Sequence, residues 1–393
     1  MSRSAATPFA PACCVCQTPL GEPVYRSPGK ISVTSLCAIR DEAIEVRFCD
    51  RCGHTSTPPL PGLRAYYHEE YKILIDSDEE DQLYAVREGR KIYRTEHQAE
   101  TLERKTRLAS GARVLDYGAA KASTLRALAQ RRPDLVPHAF DVSDLYLPFW
   151  KRFLRPDQFA VFETPLEWAG SFDLVTAFFS LEHVAEPRGF LKSVRSLLKP
   201  GGTLYAIVPN VFSNTADLVV SDHINHFSRH SIAHLLALAG FQALEIDDQS
   251  HTSAWVVTAR PSPDDGLPTE PAAPPPGLRQ EVEGMGDYWR TFGDRVAAFE
   301  EQTGRGRPAA VYGSGFYGTF ISTCLRDRSA VRCFVDQNPF RQKQRLLDKP
   351  ILAPDALPEE IEVVYVGLNP LHARAAIDSL DMWRGREREF FFP

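Results

Sequence analysis

Across the 393 residues there is no apolar stretch of membrane-spanning length, and no secretory apolar core follows Met1. Neither a helical membrane span nor a signal segment is therefore expected, and the expectation is a cytoplasmic protein. No Lys/Arg block occurs, and 45 basic against 51 acidic residues leave a net charge of −6, so nothing points to a nucleic-acid partner. Glycine is scarce in one place where it matters. In the segment 113–125 the apolar pair Val114-Leu115 ends in Asp116, Gly118 turns the chain, and Leu125, Leu128 and Ala129 follow at helical spacing. A strand, a turn and a helix in that order would normally hold a dinucleotide with three glycines, which let backbone approach a pyrophosphate. Ala120 and Ala122 stand at two of those positions, which disfavours a pyrophosphate. A ligand with a cationic amino group, a ribose and no phosphate suits Asp116 better.

What is present fills in the rest. A 43% apolar, 24% charged chain of this length describes a globular protein of two or three domains. After the segment 113–125, residues 136–143 read as a second strand ending in Asp141, a tip carboxylate able to accept ribose hydroxyls, 25 residues after Asp116. Further strands are expected at 159–162, 172–178, 203–208, 243–247 and 254–258, with a helix over 232–238 closed by Gly240. The segment 113–125 resembles the first motif of class I S-adenosylmethionine-dependent methyltransferases. Glu182-His183-Val184, Leu198-Lys199-Pro200-Gly201-Gly202 and Ala239-Gly240-Phe241 look like later landmarks of the same class. The resemblance covers about residues 80 to 260. It implies a seven-stranded α/β Rossmann-like domain over 76–260 that binds S-adenosyl-L-methionine through Asp116, Tyr117, Gly118, Ala120, Asp141, Val142, Phe179 and Ser180.

Eight cysteines in a chain without secretory features argue for metal or free thiols rather than disulfides. Cys13 and Cys16, then Cys49 and Cys52, form two Cys-x-x-Cys pairs around a β-rich stretch, the pattern of a zinc ribbon over 1–75 with a closed, structural Zn2+. Cys14 and Cys37 are then spare, and His54 is a substitute ligand. Residues 1–12 are expected to be disordered. The tyrosines at 66, 67 and 71 read as a cover over the next domain or as hydroxyls reaching a substrate, and a helix is expected over 80–108.

A proline-crowded linker and a helix with an apolar stripe from Val282 to Phe299 occupy 261–305. The region 306–393 begins again with a strand, an intact G-x-G-x-x-G at 313–318, and a second strand ending in Asp336. This is either a half-size Rossmann-like module, packing on the methyltransferase or holding a nucleotide moiety, or a site for NAD. Between strand five and the next helix, Asp222 and His223 form the best base candidate, with Asp222 orienting His223; His183 is a second candidate and Ser228 a helix cap.

The order of zinc ribbon, methyltransferase core and Rossmann-like tail is similar to the deoxysugar C-methyltransferases. That resemblance implies a small-molecule substrate, a nucleotide-linked keto-sugar methylated on carbon. The family's substrate loop carries Tyr-His-Glu-His, and Val220, Ser221, Asp222 and His223 stand there in this chain. O-methylation of another polar metabolite, an NAD-dependent oxidoreductase and a non-catalytic scaffold stay open. The acceptor and the oligomeric state are not readable from sequence.

Overall fold

The computed structural model describes residues 11–87, 89–263, 272–385 and 387–393. The expectations for residues 1–10 and for the centre of the linker, 264–271, fall outside the described residues. Two cysteine-bearing turns open the chain. In each, an amide reaches back four residues: Gln17 N to the Cys13 carbonyl and Gly53 N to the Cys49 carbonyl, both at 2.8 Å. Between the turns run β1 (Tyr25–Arg26), a small hairpin of Ser32–Val33 with Ile39–Arg40, and β2 (Glu45–Phe48); β3 (Thr55–Ser56) follows the second turn.

The segment after this region departs from the helix expected over 80–108. Leu83–Arg87 and Arg90–Tyr93 pair as an antiparallel hairpin with Gly89 in its turn at φ 78°, and α1 (Arg94–Lys105) starts only afterwards. Leu83, Tyr84 and Val86 favour a pleated, half-buried surface, and Gly89 supplies the positive φ of a tight turn. A helical reading misses both.

The central region contains β4 (Arg113–Tyr117), α2 (Ser123–Arg131), β5 (Val136–Asp141), β6 (Phe159–Val161), β7 (Phe172–Phe178), α3 (Pro187–Leu197), β8 (Leu198–Pro209), β9 (Asn225–His226), α4 (Arg229–Leu238), β10 (Phe241–Asp247) and β11 (Ala254–Pro261). Seven of these strands form one sheet in the order β6-β5-β4-β7-β8-β11-β10, parallel except for β11, which is antiparallel to both neighbours. Helices cover both faces. Leu115, Val175 and Ala177 pack with Leu191 and Val194 of α3 and Leu235 of α4, while Val114 and Leu174 pack with Leu125 and Leu128 of α2. Strand order reverses between β4 and β7, so their carboxyl ends flank the crevice where such sheets bind ligands.

β9 belongs to a different sheet. It joins the cysteine region in the order β1-β2-β3-β9, and Ser221 N adds a 3.0 Å bond to the Val33 carbonyl. The loop after β8 is thus bonded strand to strand with the N-terminal region.

Helix α5 (Leu278–Thr303) buries Val282, Trp289, Phe292 and Val296 as a stripe. Beyond it come β12 (Ala309–Tyr312), α6 (Phe316–Cys324), β13 (Val331–Val335), β14 (Lys349–Leu352), β15 (Val363–Val366), α7 (Pro370–Asp378) and β16 (Glu389–Phe391). These strands form a parallel array β14-β13-β12-β15-β16, extended at one edge by the short antiparallel strand Arg345–Leu346. α5 and α6 cover one face and α7 the other.

Candidate active site

At the carboxyl ends of β4, β5 and β7 the predicted cofactor residues come together. Asp116 is buried and accepts from Thr176 Oγ1 at 2.9 Å. Burial, with Asp141 nearby, pushes its carboxyl up to about 7, so an ammonium brought beside it would restore the charge. Gly118 has φ +81°, and a Cβ there would stand 2.7 Å from Ser180 Oγ, so only glycine fits. Ala120 and Ala122 adopt the same left-handed region (φ 44° and 56°) that glycines would occupy. Tyr117 packs between Phe140 and Phe190.

Asp141 sits at the tip of β5. Its Oδ2 accepts from Ala120 N at 2.8 Å and its Oδ1 from Ser143 N at 3.1 Å. Beside it Val142 and Phe162 are 52% and 51% exposed, two apolar side chains bare at adjacent strand ends. Phe179 (φ 51°) lies under the Arg94 guanidinium, 5.1 Å from its ring centroid. No hydrogen bond or ion pair reaches that guanidinium among the described residues, and burial lowers its pKa. Arg94 was not foreseen, because a lone arginine before the first strand carries no pattern.

Across the crevice lies a second group. His183, on the turn Leu181–His183 after β7, and His223, in the loop after β8, meet edge to face with ring centroids 4.7 Å apart. The expected pairing of Asp222 with His223 is not what the fold makes. The Asp222 carboxylate accepts from Ser35 N and Ser35 Oγ, each at 2.6 Å, and from the Tyr66 hydroxyl at 3.1 Å. His223 Nδ1 instead contacts Asp217 Oδ1, and His183 Nδ1 donates to the Asp222 carbonyl at 2.9 Å. Sequence neighbours on an irregular loop project in different directions, and Asp217, six residues earlier, swings back through the turn Thr215–Val219. Adjacency in sequence was the wrong guide.

The electrostatics follow from these contacts. Burial pushes the His223 imidazole down, but Asp217 outweighs it and the result is a rise to about 9. Burial pushes Asp217 up, yet His223 and His226 hold it well below the carboxylate range. On His183 the Asp222 carboxylate, 3.9 Å from Nδ1, is outweighed: burial and then His223 lower the imidazole to about 4. Glu182, 1% exposed, has no hydrogen-bond partner on Oε2 among the described residues, and burial raises its carboxyl to about 8. Glu182, His183 and His223 offer ligand atoms within 4.8 Å of one another. Tyr67 and Tyr71 stand edge-on to His183, so the tyrosine segment both covers the site and lines it. Ser228 caps α4, its hydroxyl accepting from Ser231 N, as expected.

Cys13, Cys16, Cys49 and Cys52 also converge, all four sulfurs lying within 4.8 Å of one another. Cys13–Cys52 and Cys16–Cys49 are 3.6 and 3.5 Å apart. A zinc tetrahedron with bonds of about 2.3 Å has edges of about 3.8 Å, so the donor set fits the ion. His54 is not part of it: its Nε2 contacts Asn225 Oδ1 at 3.1 Å. Cys14 Sγ also reaches Asn225, and Cys37 lies apart, facing the Ser314 carbonyl.

In the 313–318 loop the acid is occupied. Asp336 Oδ2 accepts from both Ser314 N (3.0 Å) and Ser314 Oγ (2.6 Å), and Oδ1 from Asn338 N (2.8 Å). Arg341 Nη2 donates to the Ser314 carbonyl.

Residues 90–246 match the family model described as "Methyltransferase domain". The central sheet has the class I S-adenosylmethionine-dependent methyltransferase fold. Curated relatives of this domain include the "Ubiquinone biosynthesis O-methyltransferase" of Xanthomonas campestris pv. campestris (strain B100), 31% identical over 154 residues, 38% of this chain and 62% of that protein. The protein of the same name from Acinetobacter baylyi is 29% identical over 104 residues, 24% of this chain and 43% of that protein. The chain thus spans less than two thirds of the length of either. Among solved structures, an S-adenosylmethionine-dependent methyltransferase from Clostridium acetobutylicum is matched at TM-score 0.36 and 14% identity, over 43% of this chain and 92% of that one. One from Mesorhizobium loti is matched at 0.35 and 14%, over 42% and 97%. Among the described residues no helix is long and apolar enough to cross a membrane.

Proposed function

We propose that the protein transfers the methyl group of S-adenosyl-L-methionine to carbon beside the ketone of a nucleotide-linked sugar. One observation supports this above the others: a buried Asp217–His223 pair meets His183 on the turn that follows β7, the strand beside the one that carries Asp116. Asp116 would face the cofactor's ammonium, Asp141 its ribose, Val142 and Phe162 the adenine, and Arg94 the carboxylate. The cysteine tetrad would hold structural Zn2+.

His223 acts as the base. With Asp217 on Nδ1, its Nε2 takes the proton from the acceptor carbon, whose electron pair is then free to bond. The bound cofactor supplies a methyl group on a positively charged sulfur, which keeps the electrons of the bond that breaks. Alignment of the two reactants contributes much of the rate. At neutral pH most of His223 already holds a proton, so turnover rises with pH until about 9. Asp217→Asn should move that limb downward by about two units. O-methylation would use the same residues on a hydroxyl. An NAD reading is disfavoured because Asp336, its ribose acceptor, is engaged by Ser314.

Calorimetry with S-adenosylhomocysteine and NAD, side by side, is the first test; binding of NAD alone would sink the proposal. Labelled S-adenosylmethionine with a panel of nucleotide-linked keto-sugars tests the acceptor. Exchange of the acceptor carbon's hydrogen in heavy water separates transfer to carbon from transfer to oxygen. Cys49→Ser should release one zinc per chain and lower Tm, and metal analysis finding no zinc in the wild type would end that assignment.

A further inference from the structure

We propose that Thr57, His226 and Asp217 are positioning residues, a buried relay through which the cysteine region decides which ring nitrogen of His223 faces the acceptor. The proposal rests on the reading of His223 as the base. Thr57 lies immediately after β3, on the chain leaving the second cysteine turn. Its amide donates to the Ile224 carbonyl at 2.9 Å, and β3 pairs Thr55 with His226 and Ser56 with Asn225. Thr57 Oγ1 lies 2.8 Å from His226 Nε2, His226 Nδ1 lies 3.3 Å from Asp217 Oδ2, and Asp217 Oδ1 meets His223 Nδ1. All four side chains are buried.

The logic is that of donors and acceptors. A carboxylate only accepts, so each imidazole must present a protonated Nδ1 to Asp217. On His226 that leaves Nε2 to be satisfied, and the Thr57 hydroxyl donates to it. On His223 it leaves Nε2 without a hydrogen bond among the described residues, available for a proton from the acceptor. Without the Thr57 hydroxyl, His226 can place its proton on Nε2 instead. Its Nδ1 lone pair would then oppose Asp217 Oδ2, and the carboxylate would turn away from His223. A buried carboxylate keeps its orientation only while both oxygens are satisfied. The second cysteine turn, through β3, is therefore an arm of the active site.

Other groups facing His223 are Asp222 beside it, and Glu182 and His183 from the turn after β7, with Tyr67 and Tyr71 against His183. Their common influence is removed by comparing variants that leave them in place. The experiment is ring-nitrogen NMR on 15N-histidine-labelled full-length protein from about pH 5 to about pH 10, with His223→Gln and His226→Gln for assignment. In the wild type, His226 should show a protonated Nδ1 and a bare Nε2. Thr57→Val should lose that pattern and lower the His223 midpoint by about one unit, and Thr57→Ser should restore both. A protonated Nε2 on His226 in the wild type overturns the relay without any variant. So does a Thr57→Val protein whose His223 titrates as in the wild type. S-adenosylhomocysteine binding on the same samples reports the methyltransferase reading separately. Its absence, with the NMR pattern as expected, would count against that reading and for the relay.

Discussion

The two parallel sheets repeat one another. β6-β5-β4-β7-β8 and β14-β13-β12-β15-β16 share the order 3-2-1-4-5, and each places an acid at the tip of its second strand. The hydrogen bonds repeat too. Ala120 N and Ser143 N hold the two oxygens of Asp141 as Ser314 N and Asn338 N hold those of Asp336. The loop with the intact glycine motif is nevertheless the one whose acid has an oxygen filled, Oδ2 by two bonds from Ser314. Ser314 adds a hydroxyl that takes a further acceptor position, whereas Ala120 has no donor to add. Two of the three glycines are used in packing: a Cβ on Gly318 would lie 2.0 Å from the Gly313 carbonyl, and one on Gly313 2.3 Å from the Gly367 carbonyl. A motif counts glycines, but a ribose needs free lone pairs.

The sharpest way to break the comparison is to remove each acid in turn. Asp141→Ala should weaken S-adenosylhomocysteine binding at least 100-fold by calorimetry, since two hydrogen bonds to a charged acceptor are worth about 3 kcal/mol or more. Asp336→Ala should leave that affinity within about two-fold, a change of under 0.5 kcal/mol, while lowering Tm by loosening the 313–318 loop. Equal losses in both variants would mean that the sheets share a ligand.

The tips after β7 and β15 differ as well. Asn369 spends its amide on Ser213 and on capping α7, whereas Glu182 is buried with one oxygen unpartnered among the described residues. A carboxyl raised in the folded state contributes stability below its unfolded pKa that is lost as pH rises through about 8. Glu182→Gln should therefore change little near pH 5 and stabilise the protein at pH 9, by on the order of 2 kcal/mol. Urea unfolding at the two pH values checks this, and a pH-independent effect would place the shift elsewhere.

Much of this architecture is legible without coordinates, and the reasons are local. Val114-Leu115-Asp116 and the near-continuous apolar run of β7 carry strand period and burial in their own residues, and Gly240 and Ser228 mark helix ends by chemistry that acts over three or four positions. The four cysteines declare themselves by spacing. What was not legible depends on distant chain returning. Asp217 reaches His223 only because a short turn folds back, Ser35 reaches Asp222 across 187 positions, and β9 leaves the central sheet to pair with β3. The hairpin before α1 was missed for a smaller reason, a short amphipathic run that fits either period.

Why the central loop has alanine at two glycine positions is open to the finest test. The left-handed conformation costs an L-residue about 1 to 2 kcal/mol, and a glycine would relieve it. Glycine would also free the unfolded chain, at about 0.4 to 1 kcal/mol. At Ala122 the methyl is 1% exposed within the core formed with Leu125 and Leu128, and a buried methyl is worth about 0.8 kcal/mol. These contributions nearly cancel, so Ala122→Gly should leave the urea midpoint almost unchanged. Ala120 is only partly buried, so Ala120→Gly loses less packing and should stabilise by about 0.5 kcal/mol, still accepting nothing from and donating nothing new to Asp141. A gain above about 1 kcal/mol at Ala122 would mean that its strain is uncompensated. The alanine would then serve the ligand, and the two loops would differ by what they bind rather than by how they pack.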